Sequence, residues 1–257
     1  MTSPVFLVEP DGLAHVQVGA EFRLTGPEGR HAVSVVRTRA GEMIELVDGC
    51  GRRVEARTTG SEGKDCLVVE VVSIVDVPHP ALTFSVVQAL PKADRGELAV
   101  ELMTEVGVDT IIPWAADRCI SQWKGDRAER SWRKWRDTAT AATKQSRRTR
   151  LPRIEPLSTT SEICDRVSAA AVALLLDEEA ALPISQVPLP STGDVVIIVG
   201  PEGGVSESER SVLISAGAQS VRMGPTVMRT STAGVAALSA LMYSSGRWSS
   251  TSTFMGG

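Results

Sequence analysis

The sequence predicts an α/β protein: a larger C-terminal α/β domain with a parallel sheet, preceded by a small β-rich barrel or sandwich. Three observations lead there. AVALLLD from Ala171 and VVIIVG from Val195 are unbroken apolar runs, the kind buried on both faces of a parallel sheet. From Leu82 onward, strand-like runs alternate with helix-like ones, whereas before it short β-branched runs follow one another with little but turn chemistry between them. Pro78, His79 and Pro80 form a stiff punctuation mark between these two textures and place the division at residues 1–77 and 78–257.

In the first domain the expected strands are VFLVE at Val5, MIELVDG from Met43, RRVEARTTG from Arg52 and CLVVEVVSIVDV from Cys66. GPEGRHAVSVVR from Gly26 predicts one short helix, with His31, Arg37 and Arg39 on it or near its end. The second domain begins with LTFSVVQAL from Leu82 and continues with a helix from Arg95 and a strand from Asp109. A long basic helix follows from about Glu129 to Arg147, then the two apolar strands, and last an Ala/Leu-rich helix from about Thr232 to Ser244. The Ser/Thr/Gly tail after Trp248 is expected to fray.

At 257 residues and 42% hydrophobic content the chain has the apolar material for packed cores. No apolar run nears the roughly 20 residues that cross a bilayer, and MTSPVFLVEPDG lacks the features of a signal peptide, so a cytoplasmic protein is expected. Cys50, Cys66, Cys119 and Cys164 make no CxxC pair and have three histidines to join them, which argues against a disulfide framework or a metal centre; free, mostly buried thiols are expected.

The net charge of −4 conceals an asymmetry. Between Arg118 and Arg153 stand twelve of the 27 basic residues, against the acids Asp126, Glu129 and Asp137. Such a segment either draws a polyanion to one face or is a solvated helix surface. Trp123, Trp132 and Trp135 within it serve either to stack on bases or to pack the helix onto its domain.

Two further segments suggest a ligand. In IIVGPEGGVSESE, Ile197 to Glu209, a buried strand runs into a glycine turn and then a helix whose start is marked by a capping box, Ser206 with Glu209. Ligands of open α/β sheets collect at that edge, and paired glycines admit a close backbone approach. Neither a phosphate loop with GK[ST] nor a GxGxxG spacing is present. In MGPTVMRTSTAG, Met223 to Gly234, small hydroxylated residues surround one arginine, Arg229, just before the last helix. Either segment alone is equally an ordinary turn or cap.

Together, GPEGGVSESE and VMRTSTA resemble the signature of the RsmE family, the 16S rRNA (uracil-N3)-methyltransferases of the SPOUT superfamily. LPKADRGELAVELMTEVGVDTIIPW from Leu90, KQSRRTRLPRIEP from Lys144 and HAVSVVRTRAGEMIELVDG from His31 are similar to that family's other elements, in the same order, so the resemblance spans nearly the whole chain. The sequence departs from it at Ser231, where the family usually has an acid, at Met228 in place of Leu, and at Ala93 in place of a common Gly.

The resemblance implies a PUA-like β-barrel for RNA binding, a trefoil-knotted SPOUT catalytic domain, S-adenosyl-L-methionine as cofactor, and a homodimer acting on 16S rRNA in the 30S subunit. It implies a cofactor pocket of Leu175, Leu176, Val199, Gly200, Glu202, Gly203, Gly204, Met223, Gly224, Val227, Met228, Thr230, Thr232 and Ala233, with Arg229 and Glu202 as catalytic candidates. RNA contacts are expected from His31, Arg37, Arg39, Arg118, Lys144, Gln145, Arg147 and Arg148. Two alternatives stay open on the sequence: a SPOUT enzyme acting on tRNA or a ribose 2′-hydroxyl, and a noncatalytic RNA-binding or ribosome assembly protein.

Overall fold

The computed structural model describes residues 3–249. The Ser/Thr/Gly tail after Trp248 lies almost wholly outside them. The chain divides into two compact units, one of Met1–His79 with Thr143–Leu151 and one of Pro80–Ala142 with Pro152–Gly257.

In the first unit the strands are β1 (Val5–Leu7), β2 (Glu21–Leu24), β3 (Met43–Val47), β4 (Arg52–Glu62) and β5 (Cys66–Asp76). They form one five-stranded sheet in the order β1-β3-β4-β5-β2, antiparallel except for the parallel β1–β3 pair. With β1 and β2 as its edges the sheet is open among the described residues, where a closed barrel or a two-sheet sandwich was predicted. Two register shifts along β4, at Glu55/Ala56 and Thr58/Gly60, bend it. Phe6, Leu13, Leu24, Ile44, Leu46, Val54, Leu67 and Val69 are its core.

The helix predicted from Gly26 is two pieces. An α-helical turn, α1 (Gly26–Arg30), passes into a π-helical stretch over His31–Val36, which ends at Arg37 with φ +60°. The π period shows in the Arg37 N–H, which donates to the Ala32 carbonyl five residues back.

The second unit contains β6 (Leu82–Ala89), α2 (Arg95–Val106), β7 (Thr110–Trp114), α3 (Asp126–Gln145, whose last turn belongs to the first unit), β8 (Arg153–Ile154) and α4 (Thr160–Ala169). It continues with β9 (Val172–Leu176), β10 (Gly193–Val199), α5 (Glu207–Ser215), β11 (Gln219–Val221) and α6 (Thr230–Ser244). The six strands make one wholly parallel sheet in the order β11-β9-β10-β6-β7-β8. The central strands are apolar on both faces, Val195 to Ile198 being fully buried, because helices cover them. α6 lies on β6 and β10 and packs against α2, while α4 packs against α5.

The tryptophans of the basic segment hold α3 down. Trp135 is buried, Trp123 meets it edge-on at 5.0 Å, and the Trp132 indole N–H donates to the carbonyls of Ile154 and Glu155. Of the four cysteines only Cys119 is buried, where mostly buried thiols were predicted: Cys50 is exposed and Cys66 and Cys164 are half-buried. No helix of the described residues is long and apolar enough to cross a membrane.

Candidate functional site

The glycine turn after β10 is fixed from several sides. Ser206 caps α5, its Oγ accepting the Glu209 N–H at 3.3 Å while the Glu209 carboxylate accepts the Ser206 N–H at 3.2 Å. Glu209 is 3% exposed, and its Oε1 also accepts the Asp117 N–H at 2.9 Å and the Thr160 hydroxyl at 3.0 Å. One buried carboxylate thus joins the start of α5 to the loop after β7 and to the start of α4. Among the described residues its charge is met by hydrogen-bond donors.

Within the turn, Gly204 has φ +72°, which an L side chain adopts only under strain. A Cβ on Gly203 would lie 3.2 Å from Arg118 Cβ, and the Arg118 guanidinium donates to the Gly203 carbonyl at 3.1 Å. Glu202 accepts the Lys92 N–H through Oε1 at 3.1 Å, tying the turn to the loop after β6. The next residue, Ala93, has φ +56°. This is the position where the resembled family commonly carries glycine, and an alanine there holds the left-handed geometry at a cost.

Beside the turn lies a cavity of about 610 Å³, within the range of small-molecule sites. Three stretches line it, each following a strand of the parallel sheet: Leu175 to Glu179 after β9, Val199 to Val205 after β10, and residues between Met223 and Ala233 after β11. These strands are neighbours, so the cavity sits at the carboxyl edge of the sheet, where open α/β folds take ligands. Leu175, Leu176, Val199, Gly200, Glu202, Gly203, Gly204, Met223, Gly224, Val227, Met228, Arg229, Thr230 and Ala233 all line it. Thr232 does not; its hydroxyl donates to the Arg229 carbonyl at 3.1 Å and helps to start α6. Arg118, expected among the RNA contacts, is on the cavity wall.

Asp177, Glu178, Glu179 and Arg210 also line the cavity and escaped the sequence reading. The run LLLDEEA shows the acids at the strand end but not that Asp177 turns in to meet Arg210, 33 residues on, in an ion pair. The hydrogen bond from that guanidinium holds the Asp177 carboxyl below the usual aspartate range, against the opposing pull of burial. At the rim two apolar side chains stand in solvent, Val227 at 79% exposure and Met228 at 37%.

Arg229 is built unevenly. Its carbonyl accepts the N–H groups of Thr232 and Ala233, both at 2.9 Å, so its backbone is locked as the N-cap of α6. Its side chain is exposed, and its guanidinium has neither ion pair nor hydrogen bond among the described residues. A fixed backbone with an uncommitted cation on a cavity wall suits a group that must meet a ligand.

The other expected RNA contacts fare differently. Lys144 Nζ lies 2.7 Å from the Glu28 carboxylate, and Arg147 lies 3.2 Å from Glu45 while also donating to the Ser3 carbonyl. These two cations are half-buried and pin the Thr143–Leu151 segment to the first unit's sheet. Gln145, Arg37 and Arg39 are exposed, Arg148 is half-buried, and the His31 ring packs edge-on against Phe6 at 6.0 Å. Among the described residues no three of His, Cys, Asp and Glu converge as a metal ligand set.

Comparison with known proteins agrees with this geometry. Residues 78–242 match the RNA methyltransferase domain family. Ribosomal RNA small subunit methyltransferase E of Mycobacterium bovis is 40% identical over 90% of this chain and 89% of its own. The protein of the same name from Bacillus subtilis is 27% identical over 89% of this chain and 92% of its own. Among solved structures, a ribosomal RNA small subunit methyltransferase E from Neisseria gonorrhoeae bound to S-adenosyl methionine superposes with a TM-score of 0.82 at 28% identity, covering 94% of this chain and 98% of that one. A methyltransferase from Legionella pneumophila in complex with the cofactor SAM gives 0.83 at 25% identity, covering 95% and 98%. The architecture, the loops around the cavity and this extent of similarity agree, and the chain belongs to the RNA methyltransferase domain family, among the ribosomal RNA small subunit methyltransferase E proteins.

Proposed function

We propose that this protein methylates N3 of a uridine in the 16S rRNA of the small ribosomal subunit, in the cytoplasm, using S-adenosyl-L-methionine. The observation that carries the reading is the one cavity wall that joins the glycine turn to the uncommitted guanidinium of Arg229. Relatives that match about nine-tenths of the chain are small-subunit rRNA methyltransferases by name, and one protein of that name and a Legionella pneumophila methyltransferase are solved with this cofactor.

The residues present fit such a cofactor. An apolar floor of Leu175 and Val199, with Val227 and Met228 left in solvent at the rim, suits an aromatic ring. The positive φ of Gly204 and the absence of a side chain at Gly203 let backbone groups approach a ligand's polar edge. Leu176, Val199, Met223, Val227 and Met228 would hold the ring, and the carboxylates of Glu178 and Glu179 would accept from amino and hydroxyl groups. When bound, S-adenosyl-L-methionine supplies a methyl group on a positively charged sulfur.

The protein's own work is then alignment and charge. Uracil N3 bears a proton on the pairing edge, so the base must enter the site unpaired. Arg229 donates to the uracil carbonyl oxygens and stabilises the negative charge that grows as N3 gives its proton to solvent water. Glu202, with one oxygen on the Lys92 N–H, positions the turn. No residue need form a covalent bond with the base, because a methyl transfer in line depends on orientation.

The finer architecture belongs to the same proposal. The loops after β9, β10 and β11 form the trefoil knot of a SPOUT domain, and the first unit is a PUA-like RNA-binding module. The enzyme works as a homodimer, for which the support is apolar surface: Val227 and Tyr243 are each nearly four-fifths exposed. The face of α6 through Gly234, Ala237, Leu238 and Leu241 is already spent on α2 and the sheet, and Ala240 and Tyr243 on its exposed side remain for a partner. Labelled methyl from S-adenosyl-L-methionine should enter small subunits that lack the modification, and should fail to enter with Arg229→Ala. Incorporation by the variant at the wild-type rate would remove Arg229 from the mechanism, and none by the wild type would sink the reading.

A further inference from the structure

The basic segment of the sequence divides into two populations. Lys144, Arg147 and Arg150 have Glu28, Glu45 and the Val77 carbonyl as partners; Arg153 has Glu155, and Arg118 the Gly203 carbonyl. Lys124, Arg127 and Arg130 are exposed and have no partner among the described residues. They stand at intervals of three, Lys124 two residues before α3 and the others in its first turns, so Arg127 and Arg130 share one outward ridge of the helix. Further along the same helix the Arg136 guanidinium lies over the Trp132 ring at 4.8 Å, on the side of α3 away from Arg127.

These three cations do nothing for the fold. Positive charge at a helix start opposes the macrodipole, and Asp126 and Glu129 already supply the negative charge that a first turn favours. A local preference broken without an internal partner marks a surface kept for something else. Arg118 is on the cavity wall, and Lys124 follows it by six residues, so the two lie at most roughly 20 Å apart along the chain. A strand whose base enters the cavity therefore carries flanking phosphates within reach of the ridge.

We propose that Lys124, Arg127 and Arg130 form a docking ridge for the phosphate backbone of the substrate RNA. The inference rests on the RNA methyltransferase reading and adds the surface that holds the strand. Contacts of this kind position the RNA without reading its sequence, so they set affinity and salt dependence and leave site choice to other groups.

The test is equilibrium binding of protein-free 16S rRNA across a potassium chloride series, by the wild type, the triple variant Lys124→Ala/Arg127→Ala/Arg130→Ala and the double variant Arg127→Lys/Arg130→Lys. Arg166→Ala, a cation of α4 paired with Glu155, serves as control. The alanine triple should lower the slope of log affinity against log salt by about two to three and weaken binding at least tenfold at moderate salt. The double lysine variant and Arg166→Ala should keep the slope, and all should bind S-adenosyl-L-methionine alike, which reports an intact fold. An unchanged slope in the alanine triple overturns the ridge, and so does a loss confined to assembled small subunits, which would make the partner a ribosomal protein. Failure of the wild type to methylate small subunits would instead overturn the underlying function and is read in a separate assay.

Discussion

Arg229 and Ala93 show what single residues reveal. The Arg229 backbone is held by two helical N–H groups while its guanidinium stays uncommitted, so Arg229→Ala should leave the fold alone and lower kcat/KM for RNA by about two to three orders of magnitude, as loss of one charge-stabilising donor does. Steady-state kinetics on small subunits checks this. Glu202 is bonded to the Lys92 N–H, so Glu202→Gln, which keeps the acceptor, should retain most activity, whereas Glu202→Ala should raise the KM for cofactor several-fold. A large fall in kcat for Glu202→Gln would make it a proton acceptor instead. Ala93→Gly should stabilise the protein by about 0.5–1 kcal/mol, the relief of a left-handed alanine less the entropy a glycine adds to the unfolded chain, seen as a higher Tm. Arg229 was legible because it is the lone cation in a run of small hydroxylated residues. The pairings Lys144–Glu28 and Asp177–Arg210 were not, because they join residues 116 and 33 positions apart, and a sequence shows charges without their partners.

Elements carry the site through their ends. Glu209 closes the capping box legible in VSESE, but its bonds to Asp117 and Thr160 depend on how three helices and loops meet, which the local pattern does not contain. Glu209→Ala would leave the Asp117 N–H unsatisfied and should cost roughly 3 kcal/mol, measured by denaturant unfolding. The Asp177–Arg210 bond, between the end of β9 and α5, gives a pH dependence with a definite sign. The folded carboxyl ionises below its unfolded value, so its stabilisation is complete above roughly pH 4 and fades as the pH falls through the folded value. Asp177→Asn should therefore unfold more easily than the wild type at pH 7, with the gap narrowing below pH 4. The π-helical His31–Val36 lay beyond sequence reading because apolar spacing places a helix without fixing its hydrogen-bond period.

At the scale of the molecule, the parallel sheet was legible in two apolar runs, since only strands buried on both faces can be so uniformly apolar. The inclusion of Thr143–Leu151 in the first unit was not, because a helix pattern running to Arg147 gives no sign that its last turn leaves the unit that holds the rest. The proposed homodimer makes a concrete expectation: sedimentation at micromolar concentration should give twice the chain mass, and Tyr243→Asp should shift the equilibrium toward monomer. The central claim is the nucleoside produced. Small-subunit RNA from cells lacking the modification, treated with the protein and S-adenosyl-L-methionine and digested to nucleosides for mass spectrometry, should contain 3-methyluridine. A methyl group found on a ribose or on any other base would contradict the account of Arg229 and the uracil edge.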